Sequence, residues 1–339
     1  MDLSSGSARW SCDPVAHPHN LSKVVLPKIA FLFPGQGSQY PGMGRELAEA
    51  FPCARAVFDQ ADRAASLLLS KLCFEGPAEG LHLTANTQPA ILTVSVAVAQ
   101  VLHEKGVRAD YVAGHSLGEY SALVAGGAFC LGDAVRLVRK RGQYMQEAVP
   151  ANQGAMAAIL GLDARLVAEA CDQASDAGVV SPANFNSPQQ TVIAGEAPAV
   201  VRASERAKEK GAKRVIPLAV SAPFHCALMA PARDRLAADL KAIQFRDLKM
   251  PLVTNVDAQA IRLGDEARDS LTRQVCAPVR WVESVRYLVA CGVDRFVEVG
   301  PGRVLTGLVK KIAPQVQASN VDDVRGIEAL ASGLSNATM

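Results

Sequence analysis

The segment Gly114-His-Ser-Leu-Gly118 leaves the chain little choice of local path. It follows a short strand-like run, Tyr111-Val-Ala113, and precedes a helical stretch, Glu119 to Ala125. Two glycines around one serine permit a sharp strand-to-helix turn that other residues resist. Such a turn pushes the serine hydroxyl outward for attack. It also puts the N–H of Leu117 at the start of a helix, where it can stabilise an oxyanion. Ser116 is therefore a candidate nucleophile. The plainer alternative is a loop with a helix-capping serine.

The pattern around this turn is that of an α/β protein with a mostly parallel sheet. Lys28-Ile-Ala-Phe-Leu-Phe33 is a buried-strand run stopped by Pro34-Gly35, and strand-like and helical segments alternate after it. From residue 151 the texture changes. Ala155–Leu160 reads as a strand, Asp163–Ala177 as a helix, Thr191–Ala194 as a strand, Pro198–Lys210 as a helix and Arg214–Val220 as a strand. This order resembles a small ferredoxin-like module. The expected organisation is a core of residues 28–150 and 221–320, a small subdomain at 151–220 and a C-terminal tail at 321–339. Residues 1–27 are rich in Ser, Pro and His, lack the apolar core of a secretory signal, and are expected as a disordered extension. A chain of 339 residues accommodates two such packed units.

Composition narrows the function classes. Lys plus Arg total 35 against 33 Asp plus Glu, a net charge of +2 without long charge runs, which argues against a nucleic-acid binder. The eight cysteines are scattered without a CxxC pair, as expected of reduced thiols in a cytoplasmic protein. The six histidines lack metal-ligand spacing, so no metal is expected. The longest apolar stretch, Ala90 to Leu102, is too short to span a bilayer and reads as a buried helix. No coiled-coil pattern appears, and a monomer is the default expectation.

A nucleophilic serine needs a base. His225, in Ser221-Ala-Pro-Phe-His-Cys-Ala-Leu228, is the leading candidate, with a satisfied structural histidine as the alternative. His115 adjoins Ser116 and would project elsewhere from the turn.

Asp133 to Ala148 reads as an amphipathic helix, and Arg141 falls in the middle of its apolar stripe. A buried guanidinium is costly unless paired. Either it forms an ion pair with a core carboxylate, or it is held ready for an anionic substrate, whose carboxylate its planar fork can grip with two hydrogen bonds. Phe33-Pro-Gly-Gln-Gly-Ser-Gln39 permits close approach of backbone to a ligand. It does not fit a dinucleotide fingerprint, because Tyr40 stands where the last glycine belongs.

Taken with Thr87-Gln-Pro-Ala90, Arg141-Gly142, Asn184-Phe-Asn-Ser-Pro188, His225-Cys-Ala-Leu-Met229 and Glu298-Val-Gly-Pro-Gly302, these motifs resemble, in order and spacing, the malonyl-CoA:acyl carrier protein transacylase family of bacterial fatty acid synthesis. The resemblance runs from about residue 28 to 315. It implies an α/β-hydrolase-like core with an inserted ferredoxin-like subdomain. It implies Ser116 as nucleophile, His225 as general base and acid, and Arg141 as the grip on the malonyl carboxylate. The N–H groups of Gln36 and Leu117 would form the oxyanion hole, and the backbone carbonyl of Gln274 would orient the histidine. Gln88, Phe224 and His115 would line the pocket. The substrates would be malonyl-CoA and the holo form of acyl carrier protein, with no cofactor and neither nucleic acid nor membrane as partner. Phe224 departs from the small serine found before the histidine in many stand-alone members. A bulky ring there implies poor use of an α-branched acyl group. The rival reading is a serine thioesterase or esterase of the α/β-hydrolase type, which shares G-x-S-x-G but orients its histidine with a carboxylate.

Overall fold

The computed structural model describes residues 27–150, 152–220 and 222–335; apart from Pro27, the extension expected at 1–27 lies outside them. In chain order the strands are β1 (Lys28–Phe33), β2 (Tyr111–Gly114), β3 (Gly154–Leu160), β4 (Val180–Ser187), β5 (Gln190–Glu196), β6 (Arg214–Pro217), β7 (Leu252–Val253), β8 (Ala260–Ile261), β9 (Val293–Val299) and β10 (Gln317–Val321). Among the described residues they form two sheets.

The larger sheet has the order β10-β9-β1-β2-β7-β8. All neighbours are parallel except β8, which runs antiparallel to β7. A parallel sheet covered on both faces demands strands that are apolar throughout. β1 satisfies this: every residue after Lys28 is buried. The period-2 geometry of a strand then divides its side chains. Ile29, Phe31 and Phe33 enter a core shared with the helices Pro52–Ala65, Thr84–Glu104 and Leu131–Glu147, whereas Ala30 and Leu32 face the helices Trp281–Ala290 and Val304–Ile312. Thr84–Glu104 is, among the described residues, the one helix long and apolar enough to cross a membrane by composition, but it is mostly buried within this core.

The smaller sheet is antiparallel, in the order β4-β5-β3-β6. Its helices, Ala164–Asp172 and Ala197–Glu209, follow β3 and β5, giving the chain order β-α-β-β-α-β. β4 is the strand that the sequence pattern did not reveal. Pro182, Asn184 and Asn186 are poor strand formers, and the β4–β5 register shifts at Pro182/Asn184 and Phe185/Ser187. Pro182 is tolerated because β4 is an edge strand. β4 also joins the two bodies, since Phe185 N–H donates to Val279 O (2.9 Å) and Val279 N–H to Ala183 O (2.9 Å).

The tail expected at 321–339 is corrected by the fold. Val321 pairs with Val299 at the end of β10, and a helix follows at Val324–Ser335. Val324, Ile327, Leu330, Ala331 and Leu334 give that helix an apolar stripe at 3.6-residue period, packed on the core.

Candidate active site

β2 ends at Gly114 and the helix Leu117–Ala125 begins three residues later. The turn between them requires both glycines. A Cβ on Gly114 would overlap the Gly118 carbonyl, and one on Gly118 would overlap the Phe33 carbonyl. Ser116 at the apex has φ 53° and ψ −106°, a sparsely populated conformation for a residue with a side chain. Two amides hold it there. Asn255 Oδ1 accepts from Ser116 N–H (2.7 Å), and Gln274 Nε2 donates to Ser116 O (3.0 Å).

The fold brings His225 to this serine across 109 positions, with Ser116 Oγ and His225 Nε2 2.7 Å apart. His225 is buried and lies at a positive φ of 61°. Its Nδ1 faces the carbonyl oxygens of Gln274 (2.9 Å) and Ala277 (3.2 Å). Carbonyls only accept, so Nδ1 carries the proton and Nε2 is left to accept from the serine hydroxyl. Burial, reinforced by the nearby Arg141 charge, pushes the imidazole pKa down to about 3, so the ring is neutral.

Arg141 is only 1% exposed. Its Nη1 donates to Gln88 Oε1 (2.8 Å), and its Nη2 to Gln274 Oε1 (3.1 Å) and Ser116 Oγ (3.2 Å). The guanidinium also lies over the Tyr120 ring, 5.2 Å from its centroid. Among the described residues none of the ion pairs includes Arg141, and its Nε has no hydrogen-bond partner. The simpler sequence reading, a structural ion pair with a core carboxylate, is therefore not met. A buried cation with only neutral partners can accept an anion at close range.

These groups open on a cavity of about 120 Å³. Ser116, His225, Arg141, Gln88 and Phe224 line it, with Gln36 and Leu117 beside Ser116 and Met156 and Asn184 from the smaller sheet opposite. Leu117 is the first helical residue, so its N–H has no carbonyl four positions back to meet. Gln36 reaches Thr84 Oγ1 through its side-chain amide (3.4 Å). His115 also borders the cavity but points away from Ser116, its Nε2 2.8 Å from Asn186 Oδ1 and its ring against Trp281. Gln274 touches the site through both its backbone and its side chain. A larger cavity, about 240 Å³ between Val57, Val96, Arg108 and Met250, contains none of these groups.

Three residues of the site were missed in the sequence. Asn255 holds the serine turn, while Glu119 and Ser270 stand behind it. Glu119 is fully buried, and its Oε2 accepts from Asn255 N–H (2.9 Å) and Gln274 Nε2 (3.0 Å). Its Oε1 faces Ser270 Oγ at 3.3 Å. The signal for Glu119 was available: it is a carboxylate inside an otherwise apolar helix, the same anomaly that marks Arg141. Asn255, two residues after the apolar Leu252-Val253, was a fainter case of the same kind.

The chain matches the acyl transferase domain model over residues 30–331. It is 51% identical over 304 residues to the malonyl CoA-acyl carrier protein transacylase of Bacillus subtilis, covering 89% of this chain and 96% of that protein. It is 50% identical over 305 residues to that of Escherichia coli K12, covering 90% and 99%. Among solved structures, an acyl carrier protein S-malonyltransferase from Vibrio cholerae superposes with a TM-score of 0.88 at 47% identity, covering 89% of this chain and 99% of that one. A malonyl-transacylase in complex with a type II PKS acyl-carrier protein gives the same TM-score of 0.88 at 47% identity, covering 90% and 99%. With a match this extensive, the chain belongs to the acyl transferase domain family and, within it, to the malonyl CoA-acyl carrier protein transacylases.

Proposed function

We propose that this protein transfers a malonyl group from malonyl-CoA to the phosphopantetheine thiol of acyl carrier protein through an ester on Ser116. The observation that carries this reading is the buried Arg141 guanidinium, 3.2 Å from the Ser116 hydroxyl and unpaired with any carboxylate among the described residues. In a malonyl ester the free carboxylate is two bonds from the acyl carbon, so a group bonded to Ser116 Oγ brings its carboxylate within reach of that fork.

The cycle has two halves. His225 Nε2 takes the Ser116 proton as Oγ attacks the thioester carbonyl. The oxyanion that forms is met by the N–H groups of Leu117 and Gln36. Collapse of the tetrahedral intermediate expels the coenzyme A sulfur, which receives the proton from His225. The carrier's thiol then enters, His225 removes its proton, and attack on the ester returns the proton to Ser116. Coenzyme A is a substrate carrier here, and the kinetics are ping-pong. A carbonyl in place of a carboxylate behind His225 stabilises the imidazolium less, which suits a thiol acceptor better than water.

We describe the larger sheet, with its serine on a strand–turn–helix, as an α/β-hydrolase-like core. The β-α-β-β-α-β body is read as a ferredoxin-like insertion. We place the protein in the cytoplasm, where the seven described cysteines, all free thiols, would remain reduced. Intact-protein mass spectrometry tests the reaction. Malonyl-CoA should leave a malonyl adduct on Ser116, and added holo carrier should remove it while gaining the same mass. Decay to free malonate that ignores the carrier would instead mark a thioesterase.

Phe224, one residue before the base, packs its ring at the cavity wall. A methyl branch on the acyl α-carbon would have to displace it. Methylmalonyl-CoA should therefore be used about 10- to 100-fold less efficiently than malonyl-CoA, and Phe224→Ser should narrow the gap. Equal kcat/KM for the two thioesters in the wild type would remove this role.

A further inference from the structure

Among the buried ionisable groups that the mechanism above leaves unused, Glu119 is the one behind the Ser116 turn. Glu119 is 0% exposed and does not border the cavity. Its carboxylate nonetheless connects, through two neighbours, to Ser116, His225 and Arg141. The Asn255 backbone N–H donates to Glu119; its side chain then accepts from Ser116 N–H and donates to Gly114 O (2.6 Å), spanning the strained turn. Gln274 Nε2 donates to Glu119; the same amide nitrogen donates to Ser116 O, its Oε1 accepts from Arg141 Nη2, and its backbone carbonyl accepts from His225 Nδ1.

The Gln274 amide cannot be turned over. Arg141 has only donors and Glu119, as a carboxylate, only acceptors, so Oε1 must face the guanidinium and Nε2 the carboxylate. The amide thus separates two buried opposite charges that would otherwise collapse into a direct pair. A direct pair would consume the guanidinium fork. With Gln274 between them, Arg141 keeps a counter-charge nearby while its fork stays open to a substrate carboxylate.

We propose that Glu119 is the positioning residue of this site: through Asn255 and Gln274, it sets the Ser116 turn, the His225 ring and the Arg141 fork together. The role rests on the transfer reading given above. Arg141, on the facing helix Leu131–Glu147, and Tyr120, on its own helix, are the ionisable groups that bear on it; Asn255, Gln274 and Ser270 are its neutral donors. Burial pushes its carboxyl up to about 7, against those hydrogen bonds and the Arg141 charge. Of its three hydrogen-bond partners, only the Ser270 hydroxyl could turn and accept from a protonated carboxyl. His225, held at about 3, contributes no titration in that range.

The test is the single-turnover rate of Ser116 malonylation across pH, with folded fraction checked by circular dichroism. In the wild type the rate should fall as pH drops through about 7. Glu119→Gln, which keeps an acceptor oxygen but no titration, should stay within about tenfold of wild type and lose that inflection. Glu119→Ala should acylate about 10²-fold more slowly per folded molecule, the scale of a small misplacement of reacting groups. Folded Glu119→Ala acylating at the wild-type rate would overturn the proposal. So would Glu119→Gln retaining the inflection, which decides the matter if the alanine variant does not fold. A wild-type protein that takes no malonyl on Ser116 would instead sink the transfer reading itself, and this role with it.

Discussion

Replacing Ser116 with Ala is expected to abolish the malonyl adduct and lower turnover on the order of 10⁶-fold, the loss typical when a serine nucleophile is removed from a preformed site. Among the described residues, Ser116 Oγ is the hydroxyl within hydrogen-bond distance of His225 Nε2, so the base has no substitute to activate. The turn itself should survive. It is held by Asn255 and Gln274 through the Ser116 backbone, which alanine retains. A folded variant with an intact cavity and no adduct, read by intact mass after mixing with malonyl-CoA, is the expected result. Continued acylation would move the nucleophile elsewhere.

Arg141→Ala should produce the second-largest effect, and one with a distinctive direction. Loss of a buried charge-assisted grip costs about 2–5 kcal/mol, and every 1.4 kcal/mol is about tenfold. Malonyl kcat/KM should therefore fall about 30- to 4,000-fold. Acetyl-CoA should be used better than by the wild type, because a neutral acyl group no longer faces an unsatisfied guanidinium. Arg141→Lys should recover little of the malonyl activity, since a point charge cannot reproduce the fork. Parallel kinetics with the two thioesters measure this directly. Unchanged malonyl kinetics in the alanine variant would count against the carboxylate grip.

What could be read in the sequence was local or anomalous. Two glycines four residues apart between a strand and a helix dictate the Ser116 turn without any distant contact. Arg141 stood out because it broke the period of an amphipathic helix, expected at Asp133–Ala148 and observed at Leu131–Glu147. β4 was hidden because Pro182, Asn184 and Asn186 carry little β-propensity; it is a strand only because β5 and Val279 offer it hydrogen bonds. The contacts of Asn255 and Glu119 were hidden for a related reason, although Glu119 itself stood out as a carboxylate in an apolar helix. Their partners lie 139 and 136 positions away, and no window along the chain contains both ends of such a contact. The C-terminal helix is a different kind of omission, since its apolar stripe was present and was passed over as a tail.

The link between β4 and Val279 has a mechanical consequence. The cavity is a seam between two separately hydrogen-bonded bodies, with Met156 and Asn184 on one lip and Ser116 and Arg141 on the other. Ser116, His225 and Arg141 all belong to one side, connected to Glu119 through Asn255 and Gln274. A slight change in the gape of the seam would thus alter how large an acyl group enters without disturbing how it is attacked. The facing wall, with Met156 and Asn184, can therefore shift the width of the seam, while Phe224 and the Ser116–His225 pair stay fixed on the larger-sheet side.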